Sequence, residues 1–381
     1  MTIKGHRISL QAIIGTVLAI LSAVCVLLCL KLSDKLDSQK AAERWQGDGE
    51  LRFSQISCYL PADEKVNLEQ IYTFRNDLGK KFHEAALDIG NDRRLFNDCW
   101  YATGKVKVSR TGGGKGDVAV TAVGGGFFDF HPLTLISGSY IRQEDLMQDR
   151  AVLDEETAWL LFGGTDLTGM SFEINGKPFV VAGVIRRETD RVSRKAYTSG
   201  MGIYMSYDAF VTLEQSDSTD SETTVQTAST AVAPEKIRGI SGYELVAAEP
   251  VKGFAYSAVN EKFPIGGGVI INNSDRFDFV PLVKLVGEFG TRSMQTHGVI
   301  YPYWENAARY TEDWCCAYLI AALLLAVYPI LLLILTAVKY GGSGKEKLTE
   351  HIIPELKEKT GERIRAAQRR RWERKHPGWK D

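Results

Sequence analysis

The sequence predicts an α+β fold: a mixed α+β domain outside a membrane, flanked by two transmembrane helices and carrying an inserted β-rich lobe. Three observations lead there. Two long apolar runs stand near the ends, with no formal charge between Arg7 and Lys31 or between Asp313 and Lys339. The stretch between them switches repeatedly between helical and strand spacing. Its best cap and turn signals crowd into the middle of that stretch.

Each apolar run exceeds the ~20 residues that a helix needs to cross hydrocarbon. Inside lipid the backbone must satisfy its own hydrogen bonds, so residues 8–30 and 314–338 are expected as transmembrane helices. They leave residues 1–7 as a short N-terminus and a polar middle of 283 residues, 31–313. A cleaved signal peptide would carry only ~7–15 apolar residues ahead of a small-residue cleavage site. The 23-residue run here, with no small residue directly before Cys25 or Cys29, reads as a retained anchor. Lys339, Lys345 and Lys347 follow the second run while only Arg309 closely precedes it, which puts that end in the cytoplasm. Lys31, Lys35, Lys40 and Arg44 make the first run ambiguous. Two spans place both termini on one side, so the chain is expected in the cell membrane with both ends cytoplasmic and its middle outside.

Charge follows the same division. Residues 339–381 hold 13 Lys and Arg against 7 Asp and Glu, and residues 1–7 add two more positive charges. A whole-chain charge of −1 then leaves −9 for the middle. The tail 339–381 is attracted to anionic cytoplasmic lipid, whereas an acidic middle has no nucleic-acid character.

Taken in order, residues 31–50 are expected as a stalk helix continuing the first span through Leu32, Leu36, Ala41, Ala42 and Trp45. Residues 51–126 and 241–302 together form the expected membrane-proximal α+β lobe. In it, 51–60 alternates as a strand, and Leu68, Ile71, Phe74, Leu78 and Phe82 recur at helical steps. Val106, Val108, Val118 and Val120 are strand-like around the turn Gly112-Gly113-Gly114. Strands are expected at 243–247, 268–272 and 297–301, and helices around Phe254–Val259 and Val280–Phe289.

Residues 127–240 are the expected inserted β-rich lobe. Ala151–Leu153 is a short strand, Asp154 a natural N-cap, and Gly163-Gly164 the end of the helix between them. Asn175-Gly176 between apolar runs is the strongest short hairpin signal. Residues 214–236, polar with only scattered Val, are expected as a mobile loop. Residues 303–313 (Trp304, Ala307, Ala308, Tyr310 among charges) form a second stalk helix leading into Trp314, a suitable interfacial anchor.

Tests for chemistry return little. Gly114-Lys115 lacks the glycine and Ser/Thr frame of a phosphate loop. His83-Glu84 lacks the second histidine of a zinc-protease helix. Ser137 has no nucleophile-elbow frame. Asp145, Asp149, Asp154, Glu155 and Glu156 read as a helix cap and a solvated face rather than acid–base machinery. No catalytic set, cofactor or metal is expected, and the chain is not expected to be an enzyme. Of the six cysteines only Cys58 and Cys99 lie in the exposed domain. An oxidising exterior permits a disulfide between them, and two unrelated core thiols are the equal alternative. Gly15, Ala19 and Ala23, with Ala317 and Ala321, offer small faces for helix packing.

One stretch resembles a known family. Val-Gly-Gly-Gly-Phe-Phe-Asp-Phe-His-Pro-Leu (123–133) leads to Gly-Ser-Tyr (138–140) and Asp145-Leu-Met-Gln-Asp149. Val-Leu-Asp-Glu-Glu-Thr-Ala-Trp-Leu-Leu-Phe-Gly (152–163), Gly-Met-Ser-Phe-Glu-Ile-Asn-Gly (169–176) and Val181-Ala-Gly-Val-Ile follow. The run is similar to the MacB-type extracytoplasmic core domain of ABC transporter permeases, in the form common in Gram-positive bacteria. The matching positions are Phe127, Phe128, His131, Pro132, Gly138, Asp149, Leu153, Asp154, Glu155, Ala158, Trp159, Phe162, Gly163, Gly169 and Gly183. The resemblance implies a permease-like subunit that couples motion in a partner ABC ATPase to its outer domain for export of an unknown substrate. It implies a separate ATPase and a second permease chain as partners, in contact with membrane lipids. Such permeases carry four spans and this chain shows two, so the alternative is a membrane-anchored binding or assembly module without transport.

Overall fold

The computed structural model describes residues 2–3, 6–7, 10–64, 66–87, 94–197, 200–221 and 239–347. Two compact units share the chain: residues 1–28 with 318–381, and residues 29–317.

After a two-residue pairing of Thr2–Ile3 with His6–Arg7, α1 (Leu10–Ser33) leads to a 3-10 turn at Asp37–Gln39 and the short α2 (Ala41–Gln46). β1 (Phe53–Tyr59), α3 (Leu68–Glu84), β2 (Phe96–Ser109) and β3 (Lys115–Gly125) follow. Next come α4 (Phe127–Phe130), β4 (Thr134–Gly138), β5 (Arg150–Asp154), α5 (Glu155–Phe162), β6 (Ser171–Ile174), β7 (Lys177–Arg186), α6 (Arg191–Ala196), β8 (Gly202–Ser206) and α7 (Tyr207–Ser221). The described chain closes with β9 (Gly242–Ala248), α8 (Phe254–Lys262), β10 (Val269–Asn272), α9 (Phe279–Lys284), a 3-10 turn at Leu285–Glu288 and α10 (Tyr303–Lys347).

In the larger unit one sheet runs β10-β1-β9-β2-β3-β8-β5-β7-β4, and β6 pairs with both β2 and β7. The pairings β2-β3-β8-β5-β7-β6 therefore return to β2 and close a six-stranded ring. All of its strands except β2 and β3 come from residues 127–240. The 14-residue β2 serves both parts: Phe96–Tyr101 pairs with β9, and Val108 and Ser109 pair with β6. The flanking strands β10, β1 and β9 form the open end, covered by α3 and α8.

Local chemistry explains several elements. Asn67 accepts from the Gln70 amide at 3.0 Å while the Gln70 side chain accepts from the Asn67 amide, a capping box that starts α3. Its Ile71, Phe74, Leu78 and Phe82 then bury one face, with Phe74 edge-on to Tyr243 and Phe263. Asp154 accepts from the Thr157 amide at 2.7 Å and Gly163 ends α5 in the left-handed region. Asn175 and Gly176 both take positive φ, as a two-residue hairpin between β6 and β7 requires.

Four expectations need correction. Residues 31–50 are not one stalk helix: α1 stops at Ser33 because Gln55 draws the next segment onto β1, accepting from the Ala41 amide and donating to Ser38 O. Residues 297–301 form no strand; Gly298 has φ +71° and the segment is held by buried Val299 and Tyr301 instead. Of the loop expected at 214–236, residues 214–221 belong to α7, and 222–236 lie outside the described residues. The tail expected at 339–381 needs no correction: its first nine residues continue α10, and 348–381 lie outside the described residues.

The fourth correction lies in the smaller unit, where the two apolar helices run antiparallel. A Cβ added to Gly15 would stand 3.0 Å from Leu332, and Ser22 Oγ donates to Ala322 O at 2.8 Å. The inward residues of α1 are Gly15, Leu18, Ser22 and Cys25, while Ala19 and Ala23 are exposed. A constant step of four residues turns about 40° further round a helix each time, so it leaves the seam; alternating steps of four and three stay on it. Tyr318, Ala322, Leu325, Pro329 and Leu332 repeat that alternation on α10. Ala321 is half-buried beside this line, and Ala317 belongs to the larger unit.

Candidate functional site

Strand alternation sends the side chains of β1 to opposite faces of the sheet. Ile56 and Cys58 point toward the side covered by α3 and α8, along with Trp100, Tyr243 and Leu245 opposite them. Gln55, Ser57 and Tyr59 point the other way, with Cys99, Tyr101 and Glu244. This second face is polar yet buried, because the first turns of α10 and the segment 38–41 cover it.

Arg276, at the loop after β10, sits at the centre of that cover. Its guanidinium donates to Glu305 Oε2 at 2.9 Å, Glu305 Oε1 at 3.1 Å, Glu312 Oε1 at 2.7 Å and Gln39 Oε1 at 2.8 Å. One side chain thus joins both segments that connect the larger unit to the two apolar helices. Arg309, one turn along α10, donates to Glu305 at 2.7 Å and lies 3.7 Å over the Tyr301 ring. Arg292 pairs with Glu312 at 2.8 Å and Asp313 at 3.2 Å. Tyr59 OH also donates to Glu305, at 3.2 Å. Three cations face three carboxylates, so the cluster is neutral though buried.

Burial alone would raise the Glu305 carboxyl. Arg276 and Arg309 outweigh it and hold the group below its ordinary value. Burial would likewise lower the Arg276 guanidinium, but Glu305 and Glu312 raise it. Tyr59 is raised, first by burial and then by the charge of Glu305. These charges persist inside the protein only as a set.

A second polar group adjoins the first. Glu244 Oε1 accepts from Trp304 Nε1 at 3.2 Å and lies 3.0 Å from His131 Nε2. Gln55 Nε2 donates to Glu244 Oε2 at 3.4 Å. Trp304 packs against His131, Phe127 and Tyr101 with ring centroids 4.3, 5.7 and 5.0 Å apart. On its other flank Ala307 and Ala308 form an apolar cluster with Leu36 and Ala196, and Tyr303 stacks on Tyr197 at 4.0 Å. The start of α10 is therefore gripped from three directions. Such an arrangement fixes one helix in position and orientation.

The sequence-derived positions fall variously around this junction. Phe127 and His131 reach it, and Pro132 follows on the same loop. Phe128 stacks on Tyr140 at 4.4 Å. Leu153 and Ala158 are core, Asp154 pairs with Arg187, and Glu155 meets Arg186 at 3.1 Å on the surface. Gly138 and Gly183 are register partners on β4 and β7: a Cβ on Gly138 would run into Ala182 O, and one on Gly183 would lie 2.6 Å from Ser139 O. Phe162 lies under the Arg110 guanidinium, Gly169 has φ +83°, Asp149 O accepts from Val180, and Trp159 is exposed. Cys58 and Cys99 are free and buried. They point to opposite faces with β9 between them, and two strand spacings of about 4.8 Å exceed the reach of roughly 7 Å for a disulfide.

Sequence reasoning missed Arg276, Arg292, Glu244 and Gln55 entirely. The one available signal was Glu305, Arg309 and Glu312, spaced by four and three residues on one face of the helix that enters the second apolar run.

Residues 85–240 match the family model described as the MacB-like periplasmic core domain. No curated protein matches the chain. Among solved structures, the extracellular domain of the noncanonic ABC-type transporter YknZ from Gram-positive bacteria aligns at 14% identity and TM-score 0.33, over 55% of this chain and 92% of that one. The periplasmic region of MacB from Actinobacillus actinomycetemcomitans aligns at 15% identity and TM-score 0.34, over 58% and 89%. Residues 85–240 thus resemble a MacB-like periplasmic core domain, in a chain that also holds two helices long and apolar enough to cross a membrane.

Proposed function

We propose that this chain couples ATP-driven motion in a partner ATPase to its outer domain, which acts on an exported substrate. The junction around Arg276 carries the reading. The residues that lead into the second span begin inside a buried six-charge cluster, and the same arginine holds Gln39 on the segment that follows the first. A displacement of α10 would therefore be delivered to the sheet rather than absorbed by loose linkers. The ABC family implies the ATPase, and a second permease chain and the lipid bilayer complete the proposed assembly. Both termini then lie in the cytoplasm.

Purification of the full chain from its native membrane in mild detergent tests this. An ABC ATPase should co-elute, and inserting Gly-Gly-Ser after Ala308 should abolish export while the ATPase remains bound. Recovery of the chain without any ATPase overturns the proposal.

A second reading, a tethered binding module, draws on a cleft of about 970 Å³ between α3, α4 and the 140–144 loop, lined by Arg75, His83, Asp98, Asp129 and Arg142 among others. That volume suits a small ligand. A chain that binds a ligand there and brings no ATPase would favour this reading.

A further inference from the structure

We infer that residues 277–290 form a membrane-surface element that inserts its apolar side into the outer leaflet. The inference rests on the reading of 314–338 as a span and not on any ATPase.

The segment is helical from Phe279 to Glu288, as α9 and the 3-10 turn after it. Phe279, Val280, Val283, Val286 and Phe289 are 53, 61, 42, 49 and 54% exposed. Positions 279, 283 and 286 are separated by four and three residues and so share one face. Leu282, on its flank, is 1% exposed and anchors the helix to the domain. Five large apolar side chains within eleven residues are far more than a solvated surface turn carries.

Where the segment is held decides what covers it. Before the helix, Arg276 binds Glu312 at 2.7 Å. After it, the Gly290 amide donates to Asp313 Oδ2 at 3.1 Å, and Arg292 binds both Glu312 and Asp313. Both ends of the segment are thus fastened to the last two residues before the uncharged run. Trp314, the next residue, is half-exposed and of the type that settles at a membrane interface. Ten helical residues span about 15–20 Å, so a segment tied at both ends to Glu312 and Asp313 cannot carry these side chains far from the level where the chain enters lipid. Charge agrees with a lipid occupant: Asp278, Lys284 and Glu288 nearly cancel, so insertion needs apolar burial and no anionic headgroup.

The test uses the full chain in phosphatidylcholine nanodiscs, with a nitroxide attached at Val283→Cys or, separately, Phe279→Cys, and the signal of the parent chain subtracted. Collision with oxygen, which partitions into lipid, is compared with collision with a water-soluble nickel chelate. Tyr72→Cys serves as the aqueous reference and Leu324→Cys, on the span, as the lipid reference. Labels at 279 and 283 should favour oxygen over nickel at least fivefold more than the label at 72. A ratio equal to that at 72 overturns the inference, and so does low access to both reagents, as at a protein contact. If the label at 324 also behaves as aqueous, the span itself has failed; if only 279 and 283 do, the span stands and the insertion does not.

Discussion

At the scale of single residues, Glu305 is the most consequential side chain. Arg276 and Arg309 hold its folded-state carboxyl below the ordinary value despite complete burial. A depressed folded value contributes stability that is fully present above the unfolded pKa of about 4.3 and is lost as pH falls through the folded one. Glu305→Gln should therefore destabilise the outer domain at pH 7 by about 3–5 kcal/mol, the usual cost of removing one partner of a buried ion pair. It should also flatten the acid limb of the stability curve below about pH 4. Chemical denaturation of wild type and variant across pH 3–7 checks both, and an unchanged acid limb would show that other carboxylates govern it. Little of this was legible. Glu305, Arg309 and Glu312 show their common helix face in their spacing, but Arg276 arrives from 29 residues upstream of Glu305, and Glu244 pairs with a histidine 113 residues away. Local patterns carry no information about such partners.

Elements divide by the same rule. The cap at Asp154, the stop at Gly163 and the Asn175-Gly176 hairpin were readable because each is decided within a few residues. The closing of β6 onto β2 was not, since it joins Val108 to Ile174 across three intervening strands of sequence. The stalk expected at 31–50 failed because a glutamine on β1 competes for its backbone. The Gly138–Gly183 contact between β4 and β7 gives a direct test. Gly138→Ala places a Cβ against Ala182 O in a left-handed backbone, and should cost roughly 1–3 kcal/mol in denaturant titrations. Adding Gly183→Ala should cost less than the sum of the two, because the sites touch. The span seam is testable by crosslinking. Gly15→Cys with Leu332→Cys should oxidise to a disulfide, whereas Ala19→Cys with Leu332→Cys should stay reduced; equal yields would place the seam elsewhere.

For the whole molecule, the expected placement outside a membrane rests on the two apolar runs and on the asymmetric basic flanks of the second, both plain in the sequence. Protease added to intact cells should degrade residues 31–313 and spare an epitope placed after Lys375; the reverse pattern would invert the chain. The shared strand β2 ties the two parts of the larger unit together. Its first half is stitched into the open sheet and its second into the ring, with β3 paired along its length. No flexible joint separates the two parts along this strand. Under the proposed coupling the two parts would swing together as a single lever arm, passing on a tilt without any change in the arm's own shape.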